Sequence, residues 1–181
     1  MKDVLDKLSN VVTKSEIAPV LLELGQPEEK RDYLILNGQP AKADETYIDI
    51  YSKAKKSVFI VNNYVNIKTL RLLQNVQSGV PVTVFTDNLM NLLHASDYAD
   101  FHTEFPNIPV TFRRTCRSTH DRFIVLDHGT SDERIFHCGA SSKDAGVQLM
   151  TVISEMTDPD FISSFGNVIQ TYLGNPVLTL K

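Results

Sequence analysis

The chain has 181 residues, 42% of them hydrophobic and 22% charged, with a formal net charge of -4. These values fit a soluble globular domain large enough to bury a core, and they exclude a disordered chain or one that attracts polyanions by overall charge. No apolar run is long enough to cross a bilayer, no secretory leader is expected, and Cys116 and Cys138 build no disulfide framework, so a cytoplasmic location is expected.

Val4, Leu5, Leu8, Val11 and Val12 form an apolar stripe that predicts a first short helix within residues 3 to 24. Ser15 is placed to cap a second helix, and Gly25-Gln26-Pro27 stops it. Asp32 to Leu36 reads as a short strand closed by the turn dipeptide Asn37-Gly38. Residues 1–42 are expected to be an accessory segment and residues 43–181 the main domain.

From Ala43 onward helices and strands alternate. Glu45 to Ala54 predicts a helix with Tyr47, Ile48, Ile50 and Tyr51 turned inward, and Ser57 to Val61 a strand covered on both faces. Ile67 to Val76 predicts a helix stopped by Ser78-Gly79, and Val82 to Phe85 a strand ending at Thr86-Asp87-Asn88. Leu89 to Phe105 predicts a longer helix stopped by Pro106, and Val110 to Phe112 opens another strand. Met150 to Ile153 is one more strand. Asp158-Pro159-Asp160 caps a final helix that runs to about Leu173. The alternation predicts an α/β fold, a mostly parallel or mixed sheet flanked by helices on both faces.

The densest set of reactive side chains lies between Arg113 and Asp144. His120, Arg122 and Asp127 stand at H-x-R-x-x-x-x-D on a predicted strand, whose alternation puts His120 and Arg122 on one face and ends at Asp127. A second strand, Arg134 to Cys138, returns Gly139-Ala140-Ser141-Ser142 to the same end. Arg113, Arg114, Arg117 and Arg122 read either as a solvated charged face or, since they converge on the motif, as a local, salt-sensitive phosphate site. Cys116, His120, His128, His137 and Cys138 lack the spacings of a zinc site, so no metal is expected. Ser141-Ser142 is not framed as G-x-S-x-G, and Gly139 to Lys143 lacks the second glycine of a nucleotide loop, so no cofactor is expected. His94 and His102 read as surface residues, Cys138 as a small buried hydrophobe and Tyr64 as a packing residue.

His120, Asp127 and Gly139 at this spacing resemble the phospholipase D superfamily, whose signature is H-x-K-x-x-x-x-D followed by G-[GS]-x-N. Arg122 stands where that family has Lys, and Ser142 where Asn is usual. The lead-in Ala54 to Tyr64 is similar to the family's first core strand, and the resemblance covers residues 43 to 173.

The resemblance implies a phospholipase D-like fold and a metal-independent phosphodiesterase. His120 would attack phosphorus to give a phosphohistidine, because neutral imidazole is a competent nucleophile near neutral pH. Arg122, Ser142 and backbone donors near Gly139 would hold the phosphate, with Ser141, Arg114 and Arg117 beside them. Asp127 or Glu155 would orient the imidazole. A single motif per chain implies a homodimer in which the second copy's histidine serves as general acid. The flavour of the motif is similar to domains of bacterial and phage DNA-associated proteins. That favours a nuclease, with nucleic acid rather than membrane lipid as partner. A non-catalytic module that binds nucleic acid or a partner protein through the same cleft is the alternative.

Overall fold

Short runs of β-branched and aromatic residues supply the strands, and Asn, Asp and Gly punctuate them. The computed structural model describes residues 31–147 and 150–181. The helices expected over residues 3 to 24 lie outside the described residues. The strands are β1 (Asp32–Ile35), β2 (Val58–Val61), β3 (Val82–Phe85), β4 (Val110–Arg113), β5 (Arg122–Leu126), β6 (Arg134–Cys138) and β7 (Thr151–Met156). They form a mixed seven-stranded sheet in the order β1-β7-β6-β5-β2-β3-β4. The β2, β3 and β4 pairings are parallel, and every other pairing is antiparallel. An α/β fold with a mixed sheet is what the alternation predicts.

Helices cover both faces. Helix α1 (Pro40–Ser52), helix α2 (Ile67–Arg71) and helix α3 (Ala95–Glu104) lie on the face of Val58, Ile60, Val82, Val84, Ile124 and Phe136. Helix α4 (Pro159–Gly174) covers the other face, where Phe165, Ile169 and Tyr172 pack on Val61, Phe85, Val125 and Ile135. Asp158 caps α4 by accepting the Phe161 N–H at 2.8 Å, as its position before Pro159 predicts. Among the described residues, no helix is long and apolar enough to cross a membrane.

Several boundaries differ from expectation, each for a local reason. Asp32–Ile35 pairs with β7 throughout, so the sheet begins inside the 1–42 segment, and α1 also starts there, at Pro40. The helix from Ile67 is α-helical only to Arg71 and tightens to a 3-10 turn over Leu72–Asn75. The helix expected from Leu89 starts at Ala95. Asn88 and Asn91 take the left-handed conformation, at φ 47 and 49, which breaks a helix. Asn88 also closes the loop, donating to the Leu93 carbonyl at 2.8 Å and accepting the Leu93 N–H at 3.3 Å.

Asp127 ends β5 and is buried. Its carboxylate accepts the N–H groups of Lys55 at 2.9 Å, Lys56 at 2.6 Å and Ser57 at 3.1 Å. Its own N–H donates to the Ser57 carbonyl at 2.9 Å. One carboxylate thus fastens the turn before β2 to the end of β5 and sets the register between them. Asp127→Ala would strand three N–H donors around a buried cavity, and we expect a loss of about 3 kcal/mol in urea unfolding.

Candidate functional site

The strand directions collect one end of the sheet. β5 runs antiparallel between β2 and β6, with Val61 opposite Phe123 and Arg122 opposite Cys138. The C-terminal ends of β2, β3, β4 and β6 and the N-terminal end of β5 therefore open onto one edge. Asn62 to Tyr64, Asp87, Arg114 to Asp121 and Gly139 to Lys143 all emerge there.

A buried polar network holds these loops. Asn63 accepts the Asp87 N–H at 2.8 Å and donates to the Thr119 carbonyl at 3.0 Å. The Thr115 hydroxyl lies 2.9 Å from Asn63 Oδ1 and 2.6 Å from Asp87 Oδ2. Asp87 also accepts the Arg117 N–H at 2.6 Å. Those bonds support Cys116 and Arg117, consecutive residues in the left-handed region at φ 54 and 56. Strain of that kind persists only where surrounding contacts over-determine it. The strained turn leads directly into His120.

His120 is exposed and precedes β5, which begins at Arg122, so the two do not share a strand face as expected. No hydrogen bond or ion pair of its ring is found among the described residues. Asp127 does not orient it. Asp127 lies beyond the opposite end of β5, seven residues or about 20 Å of extended chain away, and its carboxylate is occupied by residues 55–57. Glu155 does not orient it either. Both Glu155 oxygens accept from Arg134, at 2.8 and 2.9 Å, and Arg134 pairs with Leu126 at that same far end.

The glycine-serine turn is also built differently from expectation. Ser141 and Ser142 are 1% and 3% exposed, so their side chains face the interior. Ser141 Oγ donates to the Tyr64 carbonyl at 2.7 Å and accepts from Asn62 Nδ2 at 3.1 Å, while Ser142 Oγ lies 3.5 Å from Thr69 Oγ1. Gly139 serves backbone approach. A Cβ there would stand 2.9 Å from Thr151 Oγ1 and 3.3 Å from the Val152 carbonyl. Tyr47 anchors the same turn by donating to the Ala140 carbonyl at 3.1 Å.

The arginines divide by role. Arg113 donates to the Asn175 carbonyl at 2.8 Å and is occupied. Arg114 and Arg117 are exposed on the loop before His120, with Arg114 Nη1 3.8 Å from Asp87. Arg122 is half-buried, its guanidinium lies over the Tyr64 ring at 5.4 Å, and its Nε is buried with no hydrogen-bond partner among the described residues. Burial pushes the Cys138 thiol up to about 12, although the Tyr47 hydroxyl and the Arg122 charge pull the other way. Among the described residues, no three His, Cys, Asp or Glu side chains gather as metal ligands would. Asn62, Asn63, Asp87 and Thr115 were not picked out from the sequence. The available signal was their place just after core strands of an α/β sheet, where ligand sites form.

These features define an open α/β sheet with a polar, cationic site at one end. No family profile matches the sequence, and no curated protein matches it. Solved structures do. NucT from Helicobacter pylori is similar with a TM-score of 0.58 at 19% identity, over 82% of this chain and 99% of that one. Nuc from Salmonella typhimurium, a phospholipase D family member, gives 0.50 at 16% identity over 81% and 98%. TrmBL2, an archaeal chromatin protein described with a novel mode of DNA binding, gives 0.56 at 12% identity over 98% of this chain and 65% of its own. The chain has the phospholipase D-like fold.

The thiols give a direct check on this geometry. Cys116 is exposed, whereas Cys138 is buried and protonated. A disulfide-exchange reagent at pH 8 should titrate one thiol in the folded protein and the second only on unfolding.

Proposed function

We propose that this protein is a metal-independent phosphodiesterase acting on nucleic acid, with His120 as nucleophile, in a homodimer. The observation that carries the reading is the placement of His120. It is exposed and has no hydrogen-bond or ion-pair partner among the described residues, two residues from a half-buried arginine, on a loop whose strained turn is supported by Asn63, Asp87 and Thr115. The small stand-alone fold of Nuc and NucT, matched over nearly their whole lengths, supports the same reading.

In the first step an imidazole nitrogen of His120 attacks phosphorus, and the bond from phosphorus to the leaving oxygen breaks. The imidazolium of His120 from a second copy gives its proton to that oxygen. Water then attacks the phosphohistidine, losing its proton to the second imidazole, and the P–N bond breaks to release the phosphate monoester. Arg122 balances the charge on the non-bridging oxygens, and Arg114 and Arg117 hold the flanking phosphates. Ser141 and Ser142 act through the backbone of their turn, not through their hydroxyls. Asp127 and Glu155 serve the fold.

The alternative is a module that holds nucleic acid or a partner protein through the same arginines without cutting. The DNA binding described for TrmBL2, whose match covers 98% of this chain, favours that reading over a purely structural role.

Hydrolysis of bis(p-nitrophenyl) phosphate and of single- and double-stranded DNA in EDTA separates the two. The enzyme reading expects turnover by a dimer and a loss of at least about a thousand-fold in His120→Ala. A folded wild type that binds DNA but turns over none of these substrates is the binding module.

A further inference from the structure

Arg122 stands where the family signature has lysine, and its surroundings fit a planar group. Its Nε is sealed from solvent and has no hydrogen-bond partner among the described residues, yet the residue as a whole is only half-buried. Hydrogen bonds to Nε therefore do not set the tilt of the guanidinium. Cys138 faces it across the sheet pairing and supplies no anion, because its thiol stays protonated. The cavity beside it, lined by Tyr47, Asn62, Cys138 and Ser142, is about 10 Å³, at the limit of what one water needs. What lies against the guanidinium is the ring of Tyr64, 5.4 Å from centroid to Cζ.

Tyr64 is itself fixed at both backbone groups. Its N–H donates to Asn62 Oδ1 at 2.9 Å, and its carbonyl accepts from Ser141 Oγ at 2.7 Å. Asn62 Nδ2 in turn donates to Ser141 Oγ at 3.1 Å, a buried bond that closes a ring of three. The two residues that bracket Tyr64 come from the loop just after β2 and from the glycine-serine turn, so the backbone that carries the ring is held from two sides.

We infer that Tyr64 is a positioning residue that fixes the plane of the Arg122 guanidinium and makes this an arginine-specific phosphate site. The inference rests on the phosphate-holding role proposed for Arg122. A planar fork grips two phosphate oxygens only when its plane is set, whereas an ammonium has no plane to set. An aromatic face also attracts the cation without consuming an N–H donor. On this account Arg122→Lys does not restore the family's site; it leaves a shorter cation on a platform shaped for a fork.

Two measurements on the full chain test this, using a short oligothymidylate as probe. In side-chain NMR the Arg122 Nε–H should exchange slowly and be shifted by the ring current, unchanged in Tyr64→Phe and lost in Tyr64→Leu. Affinity at low salt should fall about two- to thirty-fold in Tyr64→Leu, the range of a partly desolvated cation–ring contact. It should hold within about two-fold in Tyr64→Phe. In an Arg122→Lys background Tyr64→Leu should cost almost nothing further. Equal losses in both backgrounds, an unmoved resonance, or a wild type that does not bind the probe would overturn the inference. Binding that depends on Tyr64 without any turnover would sink the hydrolase reading and leave this one standing.

Discussion

Asn63 is the joint on which the site depends. Its side chain accepts the Asp87 N–H after β3 and donates a hydrogen bond to the Thr119 carbonyl before β5, and its backbone carbonyl accepts the Leu89 N–H at 3.1 Å. Three loops that the sheet delivers to one edge are thereby tied to a single buried amide. Such a group has every reason to stay in place, because leaving its donors and acceptors unpaired in the interior costs about 1–3 kcal/mol each. The strained pair Cys116 and Arg117 is tolerated because Asp87 and Thr115 hold it from below. His120 emerges from that support, which makes its position a consequence of packing well beneath it.

The sheet itself follows from the insertion of β5. An antiparallel strand between β2 and β6 brings His120 and Arg122 to the end where β2 and β6 finish. The same insertion sends Asp127 to the other end, where it joins β5 to β2. One H-x-R-x-x-x-x-D run is therefore divided between opposite ends of a strand, with exposed His120 before its start and Asp127 fixing the register at its close. Arg122, between them, has a buried Nε and holds its guanidinium over the Tyr64 ring.

The strands were legible because continuous apolar runs such as Val58 to Val61 and Val82 to Phe85 fit a sheet covered on both faces. Leu89, Leu92 and Leu93 mimic helical spacing, but Asn88 and Asn91 take the left-handed conformation and hold the segment before Ala95 out of a helix. The site was half legible. His120, Arg122, Arg114 and Arg117 lie at one edge, but His120 precedes the strand on which its spacing placed it. Side-chain direction was not legible, since neighbouring serines can face solvent or core, and here Ser141 and Ser142 face the core. Nor did sequence proximity to a motif reveal that Glu155 already had Arg134 as its partner.

Hydrolysis by the proposed route requires a covalent intermediate at His120. The direct measurement is rapid quenching of the protein with excess oligonucleotide, followed by mass spectrometry of the peptide that contains residues 118–122. An acid-labile phosphoryl adduct on His120, formed and consumed at the rate of turnover, is the result predicted. Turnover without any adduct, or an adduct on a different residue, would contradict the phosphohistidine route.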